Sequence, residues 1–309
     1  MKRSLTLAPD LSVTIAGVKF ATPIWTASGT AGTGEEVEQW CDPKQLGAMV
    51  TKSVSLRPRP GHPYPRTVET ASGMLNCIGL QNKGIDAFIA DELPRLKRMP
   101  TRAVINIVGE SIEEYVELAR RLSDADGADC LELNLSCPNV ARGIDQGSDP
   151  VWVGECVGSV RSATKLPLFV KITPNTSDIV SLARAAAEHG ADAISAINTL
   201  VGMAINHSTF KPRLSNITGG LSGPAIKPVA LAAVFKIARS VKIPVIGIGG
   251  IMNGLDAAEF MIAGASAVQV GTALFRNPTA PIQIADELAG YLRSKDLAKV
   301  GDLVGRLIV

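Results

Sequence analysis

The amino-acid sequence predicts an α/β protein, a (β/α)₈ TIM barrel in which residues 1–309 form one domain. Three observations lead to this fold: short runs rich in Val and Ile recur along the chain, segments of helical periodicity separate them, and the runs number eight. Strands that alternate with helices form parallel βαβ units, and eight units in about 250 residues match a closed barrel. The predicted strands span residues 24–28, 48–54, 103–108, 130–136, 168–173, 193–199, 244–249 and 267–272.

Helical periodicity is clearest in four segments between these strands, residues 111–123, 177–189, 224–240 and 255–263. Aromatic residues make up only 4% of the chain, whereas hydrophobic residues make up 46%, so the core must consist mainly of aliphatic side chains. This composition favours buried parallel strands, because strands that are covered on both faces are rich in Val, Ile and Leu.

A doubly wound open sheet is the alternative architecture. Open sheets that bind dinucleotides carry G-x-G-x-x-G directly after the first strand. Here the first predicted strand continues into Ser28-Gly29-Thr30-Ala31-Gly32, which lacks that spacing. We therefore favour the barrel.

Three segments lie outside the simple strand–helix alternation. Residues 11–20 alternate apolar and polar side chains around Ala16-Gly17, which predicts a β-hairpin that covers the N-terminal mouth of the barrel. The connections after strands two and six, residues 55–84 and 200–223, are longer than usual. Both should lie over the C-terminal face, where the active sites of TIM barrels are found.

Composition and charge exclude several classes of function. The formal net charge is +2, and no basic tract contains interleaved aromatic residues, so nucleic-acid binding is not expected. Residues 1–10 lack the apolar segment of a signal peptide, and no run of about 18 apolar residues predicts a membrane span. We therefore expect a cytoplasmic protein. The five cysteines form no C-x-x-C pair and are too widely spaced to predict a metal site.

Polar residues and glycines recur at the carboxyl ends of the predicted strands. Each polar residue alone has an ordinary explanation, such as a turn or a solvated edge. The barrel, however, brings all these strand ends to one mouth, so together they predict a functional site. The residues are Lys52, Ser53, Asn106, Asn134, Cys137, Asn139, Lys171, Asn198, Thr199, Gly249, Gly250, Gly271 and Thr272.

The glycines after strands seven and eight predict a phosphate site. Gly249-Gly250 and Gly271-Thr272 follow these strands, where TIM barrels commonly bind phosphate through backbone N–H groups. Glycine lets the backbone approach an anion closely. The pattern fits a phosphorylated ligand such as FMN, although tight packing of helix on strand would also explain the glycines.

The asparagines and lysines predict what else binds there. Asparagine offers both a donor and an acceptor, so Asn76, Asn134 and Asn198 suit a ring with amide or imide groups. Lys52 suits a carboxylate or a flavin. Lys171 suits the negative charge of a reduced flavin, and a strand-end salt bridge is the alternative.

Cys137 stands in Ser-Cys-Pro-Asn directly after the fourth predicted strand. Pro138 cannot continue a strand, so the chain turns there and exposes the thiol at the mouth of the barrel. Cationic neighbours and burial can tune a thiol for base catalysis. A structural role is the usual one for a cysteine, and we assign it to Cys41, Cys130 and Cys156, whereas the position of Cys137 predicts catalysis.

These residues also carry a family resemblance. Residues 52–62 with Pro65-Arg66 resemble the first signature of dihydroorotate dehydrogenases, and residues 245–251 with Ala257 and Gly264-Ala265 resemble the second. The resemblance covers essentially the whole chain. Ser55 departs from the first signature, which usually has Gly or Thr at that position.

The resemblance extends to a class within the family. Cys137 is typical of class 1, since class 2 enzymes use a serine base, and residues 76–82, 197–200 and 218–224 resemble class 1B. Class 1B implies an electron-transfer subunit with FAD and a 2Fe-2S cluster that passes electrons to NAD⁺, and a homodimer within a heterotetramer. The chain has no dinucleotide fingerprint and no pattern for the cluster, which fits class 1B and also the fumarate-using class 1A.

The resemblance implies that the chain oxidises (S)-dihydroorotate to orotate in de novo pyrimidine biosynthesis with one FMN. Cys137 would take the C5 proton while a hydride passes from C6 to FMN, and Asn139 would also contact substrate. Substrate would contact Lys52, Asn76, Cys77, Ile78, Gly79, Leu80, Asn134, Asn198 and Thr199. FMN would contact Ser28, Lys52, Ser53, Asn106, Asn134, Lys171, Ile197, Gly223, Gly249, Gly250, Gly271 and Thr272.

Two further alternatives remain at this point. A flavin subunit of the dihydropyrimidine dehydrogenase type shares the Asn-x-Ser-Cys-Pro motif and also works with a flavin and iron–sulfur partner. The other is a barrel without catalytic activity that serves only in assembly. Such a barrel would not require Lys52, Asn134, Cys137 and Lys171, so their presence argues against it.

Overall fold

Eight parallel strands form the centre of the structure, a computed structural model that describes residues 8–135 and 146–309. Numbered along the chain, they are β3 (Ile24–Thr26), β4 (Ala48–Val50), β7 (Arg102–Ile107), β8 (Cys130–Asn134), β9 (Leu168–Lys171), β10 (Ala193–Ala196), β15 (Val245–Ile248) and β16 (Ala265–Val270). They pair in the order β3-β16-β15-β10-β9-β8-β7-β4. The predicted barrel is confirmed, although most strands are shorter than predicted.

The barrel closes where β3 meets β4. The N–H of Gly47 donates to the carbonyl of Ile24 at 3.0 Å, and the N–H of Val50 donates to the hydroxyl of Thr26 at 3.0 Å. A Cβ at position 47 would lie 1.9 Å from the carbonyl oxygen of Thr22. Only glycine therefore permits this close approach at the seam.

The predicted hairpin is also confirmed, as β1 (Val13–Ile15) paired antiparallel with β2 (Val18–Phe20). Its Ile15 and Phe20 are fully buried among the inward-facing side chains of the barrel strands. The ring of Phe20 lies 4.4 Å from that of Trp25, centroid to centroid. The hairpin thus closes the N-terminal mouth, and the opposite mouth is left for the site.

Helices cover the outside of the barrel. The α-helices of the described residues are α1 (Glu35–Trp40), α2 (Gly84–Ala87), α3 (Leu93–Arg98), α4 (Ile112–Asp124), α5 (Pro150–Ala163), α6 (Ile179–Glu188), α7 (Lys227–Ala238), α8 (Gly254–Ile262), α9 (Ala273–Arg276) and α10 (Ala280–Ser294). A π-helical segment, Phe88–Glu92, joins α2 to α3, and short 3₁₀ turns occupy Pro43–Gln45, Pro224–Ile226 and Val300–Leu303.

Side-chain caps explain where three of the predicted helices begin. Ser111, Asp178 and Asn253 each accept a hydrogen bond from a backbone N–H in the first turn that follows, of α4, α6 and α8 respectively. Those N–H groups have no partner within the helix, so each cap stabilises the helix by about 1 kcal/mol. Across the described ranges, no helix is both long enough and apolar enough to cross a bilayer.

The two long connections pair with each other, which the sequence did not predict. The first contains β5 (Thr67–Thr70) and β6 (Gly73–Asn76), and the second contains β11 (Leu200–Met203), β12 (Ile205–Asn206), β13 (Lys211–Pro212) and β14 (Thr218–Ser222). Strands β11, β14, β6 and β5 form one antiparallel sheet in that order. This second sheet lies over the C-terminal mouth.

Candidate active site

A cavity of about 690 Å³ lies between the strand ends of the barrel and the second sheet. That volume is typical of a site for a small molecule or a cofactor, which spans about 300–1,000 Å³. Most of the predicted contacts line it: Ser28, Lys52, Ser53, Asn76, Ile78, Leu80, Asn134, Lys171, Ile197, Asn198, Thr199, Gly223, Gly249, Gly250, Gly271 and Thr272.

Three predicted contacts do not line the cavity. Cys77 is fully buried and packs with Val68, Leu75 and Leu214 in a separate hydrophobic cluster of the second sheet. Gly79 forms a tight turn, with φ of +74°, in which a Cβ would lie 2.6 Å from the backbone nitrogen of His62. Their contact with substrate stays a prediction.

Asn106 is the third, and it is fully buried. It contacts Ser53, which does line the cavity, and so lies one layer below the cavity floor. Cys137 and Asn139 fall outside the described residues.

Amide and hydroxyl groups on the cavity floor form one continuous hydrogen-bond chain. Asn198 Nδ2 donates to Asn134 Oδ1 at 3.1 Å, and Asn134 Nδ2 donates to Ser53 Oγ at 3.3 Å. Ser53 in turn donates to Asn106 Oδ1 at 2.5 Å. Strands β7 and β8 and the segments after β4 and β10 thus supply side chains that orient one another.

Two cations lie on one side of the cavity. Burial lowers the pKa of the Lys52 ammonium below its ordinary value, and the charge of Arg66 lowers it further. Arg66 is held in place because its guanidinium donates to the carbonyl of His62 at 2.5 Å and to Gln81 Oε1 at 2.6 Å. A half-buried ammonium near a fixed guanidinium favours an anionic ligand such as a carboxylate.

Lys171 places a third positive charge at the cavity floor. The side chain is only 5% exposed, and its ammonium donates to Ser28 Oγ at 3.1 Å. Ser28 follows β3, four strands away from β9 in the barrel order, so the ammonium extends across the mouth. A charge in this position is suited to stabilise negative charge on a ring bound above the floor.

Gly223, Gly249 and Gly250 form a glycine cradle at the other side of the cavity. All three have left-handed backbone angles, with φ of +94°, +131° and +72°. A Cβ at Gly250 would lie 2.8 Å from the carbonyl oxygen of Gly223, and a Cβ at Gly223 would lie 2.7 Å from the Cα of Gly73. The cradle therefore requires glycine, because its backbone packs closely against the neighbouring segments.

An ion pair holds the cradle from behind. Lys227, at the start of α7, contacts Asp256 at 2.6 Å and Glu259 at 2.8 Å. Asp256 also accepts from the N–H of Met252 at 2.8 Å, two residues after Gly250. These contacts fix the loop after β15 to the helices on either side.

The sequence analysis did not assign a role to some cavity residues. Arg66, Thr67 and Met74 line the cavity from the first long connection, and Ser222 lines it from the second. Arg66 had a usable signal, a charged residue within a signature motif. The others had none, because their position depends on how β6 pairs with β14.

Known proteins resemble this chain over nearly its whole length. The family model for dihydroorotate dehydrogenase matches residues 10–292. Proteins from Pelobacter propionicus and Geobacter sulfurreducens, both named dihydroorotate dehydrogenase B (NAD(+)), catalytic subunit, are 54% and 52% identical over 302 residues, which is 97% of this chain and 99% of each relative.

A solved structure gives the same result for the fold. The dihydroorotate dehydrogenase of Eimeria tenella, crystallised with ferulenol, superimposes with a TM-score of 0.81 at 26% identity and covers 99% of this chain and 91% of its own. The match extends over the barrel and over both long connections. The chain therefore belongs to the dihydroorotate dehydrogenase family.

Proposed function

We propose that this chain is the FMN-containing catalytic subunit of a class 1B dihydroorotate dehydrogenase, which oxidises dihydroorotate to orotate in pyrimidine biosynthesis. One observation supports this most directly: the glycine cradle, Lys52, Arg66 and the asparagines all line a single cavity. A flavin phosphate and an anionic ring substrate need these two environments side by side.

The residues present fit FMN, on which the family generally depends. The glycine cradle would hold the phosphate through its backbone N–H groups, since it lines the cavity at the loop after β15, where TIM barrels commonly bind phosphate. Lys171 and Ser28 would lie against the isoalloxazine ring and stabilise the charge of its reduced form. When bound, FMN supplies the acceptor for the hydride that leaves C6 of the substrate.

The remaining cavity residues suit dihydroorotate. Its carboxylate would bind between Lys52 and Arg66, two cations that both line the cavity. The amides of Asn134 and Asn198 would bind the carbonyl and N–H groups of the ring. Oriented binding of both parts places C5 and C6 at fixed positions, which lowers the barrier to reaction.

Cys137 is the base in this proposal and would remove the C5 proton. Asn134, which lines the cavity, ends β8 three residues earlier in the sequence. Cys137→Ala should keep bound FMN yet slow the reduction of FMN by dihydroorotate by about 10²–10⁴-fold, since general-base catalysis typically contributes that much. Anaerobic stopped-flow absorbance of the flavin measures this rate.

A matched control removes a different thiol. Cys41 follows α1 outside the cavity lining, and burial raises the pKa of its thiol, so Cys41→Ala should reduce FMN at the wild-type rate. Reduction of the Cys137→Ala protein at a near wild-type rate would contradict the assignment of the base.

The electron acceptor distinguishes the classes. The relatives are named catalytic subunits, so we propose a partner that carries FAD and a 2Fe-2S cluster and reduces NAD⁺, in a heterotetramer built on a homodimer of this chain. Dihydroorotate-dependent NAD⁺ reduction should appear only when such a partner is added. Efficient turnover with fumarate by the isolated chain would instead indicate class 1A.

A second assay addresses the dihydropyrimidine dehydrogenase alternative. Dihydrouracil lacks the carboxylate that Lys52 and Arg66 are proposed to bind, so dihydroorotate should bleach the flavin and dihydrouracil should not. The reverse result would favour the alternative. The cytoplasmic location expected from the sequence stays a prediction.

A further inference from the structure

A buried carboxylate lies beneath the cavity and has no part in the function derived above. Glu132 is in β8, two residues before Asn134, so both side chains point into the barrel. It is fully buried and does not line the cavity. Asn106 Nδ2 donates to its Oε1 at 2.7 Å, and Ser195 Oγ and Gln269 Nε2 donate to its Oε2 at 2.7 and 2.6 Å.

The carboxylate determines which way the neighbouring amides face. Glu132 accepts all three of these hydrogen bonds, so Asn106 turns its nitrogen toward Glu132 and its oxygen toward Ser53. The hydroxyl of Ser53 is then committed as a donor, and its oxygen accepts from Asn134 Nδ2. Asn134 consequently turns its own oxygen toward Asn198 Nδ2. Every donor in this chain points back toward Glu132.

Gln269 provides independent evidence that Glu132 sets the orientation of neighbouring amide groups. Its Nε2 donates to Glu132, and its Oε1 is buried without any hydrogen-bond partner in the described structure. Buried polar atoms are normally paired, and an unpaired one destabilises the protein. The orientation of this amide is therefore set by Glu132 rather than by the rest of its environment.

We propose that Glu132 is a positioning residue that makes the site present the amide nitrogens of Asn134 and Asn198 to the ring carbonyls of the substrate. This inference rests on the proposed function, because it concerns how the same site recognises a pyrimidine ring. Reversal of this hydrogen-bond chain would place the amide oxygens of Asn134 and Asn198 where their nitrogens now lie. Two oxygens that face each other repel, so a site of reversed polarity binds ring carbonyls poorly.

Glu132→Gln tests the proposal with almost no change in shape. Two donors, Ser195 and Gln269, converge on the position of Oε2, so the new amide should keep its oxygen there and turn its nitrogen toward Asn106. Asn106 must then turn its oxygen inward, which reverses the chain as far as Asn198. Orotate should bind about tenfold or more weakly, because the buried polar groups of the site no longer match the ring.

The double variant Glu132→Gln with Gln269→Glu should restore binding. The carboxylate now stands at position 269, so the amide at position 132 turns its nitrogen toward it and its oxygen toward Asn106. The original polarity returns, and orotate affinity should recover to within about threefold of wild type. If Glu132 served only to fill the barrel interior, a carboxylate at position 269 would not restore the affinity for orotate.

The measurement is calorimetric titration of orotate into FMN-saturated protein, with urea unfolding of each variant in parallel. An orotate analogue with an amino group in place of a ring carbonyl is titrated as well, and Glu132→Gln should shift the preference toward it. Equal orotate affinity in wild type and Glu132→Gln, or no recovery in the double variant, would overturn the proposal. If wild-type protein itself failed to bind orotate, the proposed function would be at fault instead.

Discussion

Replacement of Gly250 by alanine should disrupt the glycine cradle while leaving the barrel intact. Gly250 has φ of +72°, and a Cβ there would lie 2.8 Å from the carbonyl oxygen of Gly223 and 2.9 Å from the backbone nitrogen of Lys227. Both are backbone atoms, which cannot rotate away as the end of a flexible side chain can. The added methyl must therefore move one of the two loops.

The magnitude follows from two penalties. A left-handed residue other than glycine costs about 1–2 kcal/mol, and overpacking of a close contact costs about 1–3 kcal/mol. We expect Gly250→Ala to lower the free energy of unfolding by roughly 2–5 kcal/mol. Where the loop relieves this strain by moving, its N–H groups lose their alignment, and each 1.4 kcal/mol of lost binding energy weakens FMN affinity about tenfold.

The assays are urea unfolding of the apoprotein and fluorescence titration with FMN. Gly158→Ala is the matched control, because Gly158 lies within α5 and a Cβ there would meet nothing closer than His189 at 3.7 Å. Alanine in a helix interior should stabilise the protein by about 0.5–1 kcal/mol and leave FMN affinity unchanged. Gly250→Ala with wild-type stability and FMN affinity would refute the reasoning.

Three other predictions test separate parts of the molecule. Phe20→Ala should destabilise the barrel by about 3–5 kcal/mol without weakening FMN binding, because the buried ring lies at the opposite mouth; equilibrium unfolding and FMN titration check both parts. Tyr115→Phe removes a 2.7 Å hydrogen bond to the carbonyl of Asn134 and should lower the free energy of unfolding in urea by about 1–3 kcal/mol; an unchanged value would contradict it. Because burial and Arg66 lower the pKa of Lys52, orotate affinity should fall as pH rises through that lowered pKa, and titrations of Lys52→Met should lose this dependence.

The pKa of Lys52 also has a consequence for stability. The folded chain holds this proton less tightly than the unfolded chain does, so between the lowered pKa and the ordinary 10.5 the unfolded state binds more protons. In that window, the contribution of Lys52 to the free energy of unfolding therefore increases with pH. Below the window the penalty is fully present, and above it the penalty is absent.

The sequence predicted the barrel because buried parallel strands can be recognised from short local runs rich in Val and Ile. Each observed strand lies within or close to a predicted Val- and Ile-rich run, and the caps Ser111, Asp178 and Asn253 precede helices with clear periodicity. The strand ends were less accurate. Residues 48–54 are predicted as one strand, but β4 ends at Val50, because the N–H of Asn106 donates to the side chain of Thr51 and the pairing with β7 resumes only at Val54.

The position of the site could also be predicted, since parallel strands bring their carboxyl ends to one face by topology alone. Residues at strand ends, such as Lys52, Asn134 and Lys171, therefore line the cavity as expected. The strand pairing that builds the roof of the cavity could not be predicted. Strand β6 pairs with β14 through contacts such as Asn76 with Gly220, which are far apart in the chain, and no local pattern specifies that pairing.

By itself, then, the sequence determined the fold class, the family and most cavity residues of this protein, because strand periodicity, strand-end chemistry and signature motifs are properties of neighbouring residues. Only the tertiary structure decided which polar residues line the cavity and which lie in the layer beneath its floor and orient those above. Asn106 and Glu132 lie in buried strands whose sequence does not distinguish the cavity floor from the layer beneath it. That distinction arises from the depth of each residue in the barrel and from hydrogen bonds between strands, such as the one that joins Gln269 to Glu132 across 137 positions of the chain.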